Sequence, residues 1–156
     1  MLCSTRLGLV DVYGFKIAAG DIAVRGDGNV QQISGRERIA QELACWLIEP
    51  LGTDTIYRRF GSTLADLIGS PVSDEVLADV RAEVYRVVGN YIEYQKRQVS
   101  EAMESGAYDF LSVWSPDDII NSFDGIDIEA VADSVQVTVK LTTAAGETVT
   151  VVQTSV

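Results

Sequence analysis

The sequence predicts an α+β fold on two observations. Residues from about 34 and from about 73 carry apolar side chains at helical spacing, whereas the chain from Gly125 onward alternates apolar and polar residues. A turn-rich segment before the first helix adds a third element. The expected architecture is an N-terminal hairpin, two main helices and a C-terminal antiparallel β-meander packed on the helices, in a single domain spanning 1–156.

In order along the chain, residues 1–14 show no clear period and read as an arm. Gly14–Val24 reads as extended, with Phe15, Ile17, Ile22 and Val24 apolar. Gly26-Asp27-Gly28-Asn29 is a turn signal, and Val30–Ile33 returns to make the hairpin. Ser34-Gly35-Arg36-Glu37 has the spacing of a capping box, and Ile39, Leu43, Trp46 and Leu47 follow on one helical face. Pro50 and Gly52 stop that helix. Ile56–Phe60 reads as a short extended run, Gly61-Ser62 as a turn, and Leu64, Leu67 and Ile68 as one apolar helical turn. A second helix begins at Ser73 with Asp74 and Glu75 in its first turn, where the helix dipole favours acids. Val76, Val80, Val84, Val87 and Tyr91 mark its buried stripe, and the helix can run to Glu104 before Gly106 breaks it.

Phe110, Leu111 and Trp114 form an apolar knot, and Ser115-Pro116-Asp117-Asp118 opens another short helix. From Glu101 to Asp133 there are nine acidic residues and no Lys or Arg. That stretch is either solvated surface or a docking face for a basic neighbour. The last strands are Gly125–Val131, Val135–Leu141 and Thr148–Val152.

Composition excludes several function classes. A net charge of −11 disfavours nucleic acid and anionic membrane as partners, since both select clustered Lys and Arg. No histidine occurs, which removes the commonest general base and metal ligand. Cys3 and Cys45 have no metal-site spacing. Cys45, between Ala44 and Trp46, reads as a buried inert thiol, and a disulfide framework is not expected. The first ten residues are too short and polar for a signal peptide, and no apolar run reaches membrane length.

Candidate chemistry is sparse. Glu93 beside Tyr91 and Tyr94, and Asp109 beside Tyr108 and Phe110, place carboxyls near aromatics, but 23 acids put some there by chance. Asp124, Asp127 and Glu129 lack the ligand pattern of a calcium loop and read as strand-start acids. Gly26-Asp27-Gly28 lacks the Lys-Ser/Thr of a phosphate loop. The expectation is no catalytic residue, no metal and no cofactor. Arg58 and Arg59, adjacent in an extended run, would point to opposite faces. One is expected to pair with an acid of this chain and the other to meet a partner, an internal pair being the alternative.

The strongest physical signal is the C-terminal meander. From Ser134 to Val156 the only charges are Lys140 and Glu147. Edge strands ordinarily carry charge, proline or bulges that block further pairing. The docking candidates are therefore Val135, Val137, Val139, Leu141, Val149 and Val151, along an edge that either receives a partner strand or is covered by the N-terminal arm.

The segments DIAVRGDGNVQQISGRERIAQELACWL and GTDTIYRRFGSTLADLIG resemble the small baseplate wedge proteins of contractile phage tails, the lysozyme-like wedge or sheath-initiator family. The likeness covers roughly Asp21–Tyr91 and, more loosely, Gly125–Val152. It rests on Gly52, Phe60-Gly61, Leu64 and Leu67 in that order. It implies an α+β fold without enzyme activity, assembled in the host cytoplasm into the virion tail baseplate beside the tail tube. The implied partners are larger wedge subunits, the tail sheath protein and the tube or hub. It also implies a C-terminal sheet that accepts strands from the first sheath ring. The family commonly carries Glu-Pro-Arg after the second helix. Here Asn90-Tyr91 is followed by Ile92-Glu93-Tyr94-Gln95, so Glu93 stands for the acid, the Pro and its Arg are absent, and Arg97 is a weak substitute. Tyr91, Glu93, Arg58 and Arg59 are the candidate wedge contacts. About 98–123 reads as a peripheral acidic helical insertion. Phe60 and Gly61 are expected to hold the fold, Phe60 within the core and Gly61 at positive φ. A regulatory anti-adaptor on the same fold and a peptidoglycan hydrolase are the competing functions.

Overall fold

The computed structural model describes residues 14–19, 21–67, 70–104, 114–132 and 134–155. Two helices lie on one face of a three-stranded antiparallel sheet, as the periodicities require. Helix α1 is Gly35–Ile48 and α2 is Asp74–Glu104. The sheet strands are Ile120–Val131, Ser134–Thr143 and Thr148–Ser155, here β5, β6 and β7, in the order β5-β6-β7. Strands β1 to β4, each of two residues, form the N-terminal ribbon: Gly14–Phe15, Ile17–Ala18, Asp21–Ile22 and Gln32–Ile33.

The core is one apolar cluster. Ile39, Leu43, Trp46 and Leu47 of α1 meet Val80, Val84, Val87, Val88 and Tyr91 of α2 over Val137, Val139, Leu141, Val149 and Val151 of the sheet. The strict alternation of β6 and β7 sets this: one side of each strand is buried, and the intervening residues face outward. Helix α1 lies over β7 and α2 over β5.

The ribbon is more folded than the sequence implies. Instead of one strand over Gly14–Val24, the chain reverses after Ala18, where Ala19 takes φ +53°, so β2 pairs with β3 while β1 pairs with β4. The Gly26–Asn29 turn forms as expected. Arg25 N–H reaches Asn29 O at 2.8 Å, and the Asp27 carboxylate accepts from the Asn29 amide. The Asn29 backbone N–H first, and then its side-chain amide, hold the Asp27 carboxyl below its ordinary pKa.

Three local expectations are corrected. The Ser34 side chain makes no capping bond, and Glu37 pairs with Lys16 at 2.9 Å. The start of α1 is capped from far along the chain: Gly35 N–H donates to Asp118 Oδ1 at 2.7 Å. Gly35 is needed there, at φ +57° with Asp117 Cβ only 3.3 Å from where its own Cβ would lie. Second, Ile56–Phe60 is not extended. Asp54 Oδ1 accepts from the amides of both Ile56 and Tyr57, and Phe60 N–H turns back to Tyr57 O at 2.9 Å. An aspartate that bonds the backbone two and three residues on nucleates a turn, which overrides the β-propensity of Thr-Ile-Tyr. Third, among the described residues of the proposed peripheral insertion, the C-terminal part is integral. Residues 98–104 are the last turns of α2. Trp114, Asp118 and Ile120 are buried, Asp118 completely, and Phe123 packs against the core. The short helix expected after Ser115 is a single 3-10 turn, Pro116–Asp118, closed by the capping box of Ser115 and Asp118. The arm at 1–13, Ile68, Asp109, Phe110 and Leu111 lie outside the described residues.

Candidate functional site

Strand β7 is an edge of the sheet. Its partner on one side is β6, paired from Val135↔Ser155 to Thr142↔Thr148, and among the described residues no strand or backbone hydrogen bond occupies its other side. It has no charge, proline, glycine or register shift over its eight residues. Val149 and Val151 point into the core, while Thr148, Thr150, Val152 and Thr154 are exposed. The opposite edge, β5, differs in charge, glycine content and register. It carries register shifts between Ile120 and Ser122 and between Phe123 and Gly125, with Asp124, Asp127 and Glu129 along it. Asp124 accepts from the hydroxyls of Thr142 at 2.6 Å and Ser122 at 2.9 Å, and those bonds, Thr142 first, lower its pKa. Bulges and acids are the devices that keep an edge from pairing. Among the described residues, one edge of this sheet is protected and the other is open.

The docking residues inferred from sequence need correcting. Val135, Val137, Val139 and Leu141 belong to β6, the central strand, whose backbone groups are engaged on both sides. Their side chains, like those of Val149 and Val151, are core residues. Of β6 and β7, only β7 has an outward backbone side without a partner strand among the described residues.

The Gly52–Leu67 segment is a closed loop on α1. Its base is sealed by Ser62 N–H to Glu49 O at 2.7 Å and Leu51 N–H to Ser62 O at 2.9 Å. The buried Ser62 hydroxyl donates to Leu47 O at 2.6 Å. Gly61 takes φ +96°, as expected, and a Cβ there would lie 2.7 Å from the carbonyl oxygens of Glu49 and Pro50. Gly52 has φ +84° with nothing near its Cβ position. Phe60 is half-buried and meets the Trp46 ring edge-on at 5.0 Å. Leu64 is buried and Leu67 packs against the core from the short turn Leu64–Leu67. On the α2 side, Glu83 accepts from Thr63 N–H at 2.6 Å, and Arg86 donates to Gly61 O at 3.0 Å and to Glu83. The Arg86 bond depresses the Glu83 pKa against the opposing effect of burial.

The candidate wedge contacts separate. Tyr91 is fully buried, its hydroxyl donating to Glu42 Oε2 at 2.9 Å, so its ring is no contact surface. Burial, then the Glu42 carboxylate, pushes the Tyr91 phenol well above its ordinary pKa. Arg59 and Glu93 are exposed and pair at 3.5 Å, and Arg58 is exposed beside them. Both arginines lie in the Asp54 turn, so the two-face argument for an extended run does not apply. Arg97 lies over the Tyr57 ring at 4.8 Å and reaches Glu101 at 3.7 Å. Cys45 is half-buried rather than buried; burial, then Glu49 and Glu42, raises its thiol pKa, which leaves little thiolate at neutral pH.

Compared with known proteins, the chain matches no family model, no curated protein and no solved structure.

Sequence reasoning missed the polar centre that joins the layers. Asp118 accepts from Gly35 N–H and from Ser115, and lies 3.4 Å from Arg38 Nε, while Gln95 donates to its carbonyl at 3.0 Å and accepts from Ile120 N–H at 2.7 Å. Arg38 also pairs with Glu42 at 3.0 Å and lies over Trp114. The one signal was the Ser115-Pro116-Asp117-Asp118 cap, which placed Asp118 at a helix start and gave no hint of its burial. Among the described residues no cluster of His, Cys, Asp or Glu is fit to hold a metal ion, and no helix is long and apolar enough to cross a membrane.

Proposed function

We propose that this chain is a structural component of a contractile-tail phage baseplate wedge, seated beside the tail tube, and that it templates the first sheath ring by β-strand addition. The observation that carries the reading is the outer edge of β7: eight uncharged, unbulged residues beside a well-packed core. An edge of this kind pairs readily with an added strand, and soluble proteins ordinarily block it. The ordered Gly52, Phe60-Gly61, Leu64, Leu67 series in the sequence supports the same assignment. The partners under this reading are larger wedge subunits, the tail sheath protein and the tube or hub. Exposed Arg58, Arg59 and Glu93 are the wedge-facing candidates.

The test is a pair of proline variants in β7. Adjacent residues of a strand direct their backbone groups to opposite sides, so of Thr150→Pro and Val151→Pro one removes an outward donor and the other a donor to β6. The outward variant is expected to fold and to join the baseplate but not to start sheath growth. Full-length sheath at normal yield from a folded outward variant would refute the proposal.

A further inference from the structure

We infer that the outward face of the N-terminal ribbon is the seat of this chain's own residues 1–13. The pairing register builds that face. Ile17 stands opposite Ile22, and Val24 stands opposite Val30. Ile22 and Val24 are two apart in one extended run, so their side chains leave it on the same side. All four therefore share one face, and they are 40% to 61% exposed. The residues between them face the other way. Lys16, Ala23 and Gln31 are half-buried and lie side by side: Ala23 N–H donates to Lys16 O and Gln31 N–H to Ala23 O, each at 2.8 Å. That inner face is fastened to α1 by polar groups. Lys16 Nζ meets Glu37 at 2.9 Å, Gln41 Oε1 accepts from Ile17 N–H at 2.7 Å, and Gln41 Nε2 donates to Phe15 O at 2.8 Å. A strand pair on a protein surface ordinarily turns its apolar side inward and its polar side out. Here the order is reversed, and the bonds to Glu37 and Gln41 set which way the ribbon faces.

A contiguous aliphatic face on an otherwise acidic chain calls for a cover. The residues before Gly14 fit it by chemistry and by attachment. Leu2, Leu7, Leu9, Val10 and Val12 are aliphatic, and the only charged side chains among residues 1–13, Arg6 and Asp11, are opposite in sign. Gly14 is the first residue of β1, so this segment enters at the ribbon itself. At ~3.3 Å per residue it can span ~40 Å, far more than ribbon strands of two residues each. Tethering so close gives an effective concentration on the order of millimolar. A second copy would compete from free solution, and two chains of net charge −11 repel each other. A face of four side chains is also small against the ~1,200–2,000 Å² of a stable interface between separate proteins, whereas a tethered segment needs no such area. Leu7 and Leu9, two apart, would lie on one side of an extended segment and supply the apolar contact. The seat is independent of the baseplate assignment.

The test uses the full-length chain with NMR-labelled Ile, Leu and Val methyls and a neutral, soluble paramagnetic chelate that broadens open methyls. Ile48 and Val131, 54% and 47% exposed, are the references, being as open as the ribbon residues. The methyls of Ile17, Ile22, Val24 and Val30 are expected to broaden less than half as much as these. They are also expected to show nuclear Overhauser contacts to Leu7 and Leu9. In the Leu7→Ser, Leu9→Ser chain, with unchanged core methyl shifts, they should broaden as strongly as the references. Broadening at the reference level in the unaltered chain, or no contact there with Leu7 or Leu9, would overturn the inference even if the double variant fails to fold. Shielding that persists in the folded double variant would assign the cover to another segment, and shielding that fades on dilution would assign it to a second copy. Either result would overturn the inference as well.

Discussion

The carboxylate of Asp118 caps Gly35, 83 residues away in sequence, at 2.7 Å, and so ties the start of α1 to the entrance of the sheet. The same carboxylate is fully buried against Arg38. Removing one member of a buried charge pair leaves the other uncompensated, at about 3–5 kcal/mol. Asp118→Ala is expected to destabilise the fold by that amount in urea melts. A loss below about 1 kcal/mol would show that the pair does not hold the layers together.

Gly61 and Gly52 separate two reasons for a glycine. Both have positive φ, but only Gly61 is also crowded by backbone oxygens. Gly52→Ala is expected to lose about 1–2 kcal/mol from the left-handed backbone alone. Gly61→Ala adds a clash that side-chain movement cannot relieve, and it should lose several kcal/mol or fail to fold. Equal melting midpoints for the two variants would contradict this.

Phe60 packs against the core, as the sequence leads one to expect, but is only partly buried. Being half-buried, its truncation should be milder than the usual ~3–5 kcal/mol for a core aromatic, at about 2 kcal/mol including its edge-on contact with Trp46. A denaturant melt of Phe60→Ala measures this, and a value above about 4 kcal/mol would show that the Gly52–Leu67 loop unfolds with it.

Tyr91 makes stability depend on alkaline pH. Its folded pKa is raised above that of an unfolded tyrosine, about 10. The folded state thus retains the proton longer, and the stabilisation is present below pH 10 and lost as pH rises above it, by up to about 1.4 kcal/mol per pH unit. Tyr91→Phe should lower this slope by one proton. An unchanged slope would mean that the phenol is not held protonated by the fold.

The fold class was legible because its periodicities are local: the α1 and α2 stripes and the alternation of β6 and β7 follow from short-range spacing. What escaped depends on contacts distant in sequence. The burial of Asp118 requires Gly35 and Arg38 of α1 and Gln95 of α2 to converge on it, and an acid-rich stretch reads as surface when they are not seen together. Strand order was equally hidden. Val135–Leu141 and Thr148–Val152 look alike as edges, and only pairing with β5 makes β6 central. The extended run expected over Ile56–Phe60 failed because Asp54, two and three residues before the amides it bonds, redirects the chain into a turn, although Arg59 does pair with an acid of this chain, Glu93.

A three-dimensional reconstruction of the assembled tail, at a resolution that traces backbone, tests the central claim most directly. The account predicts this chain in the baseplate wedge, with a strand from the sheath protein hydrogen-bonded along Thr148–Ser155. The edge of β7 facing solvent there, or covered by residues 1–13 of its own chain, would contradict it.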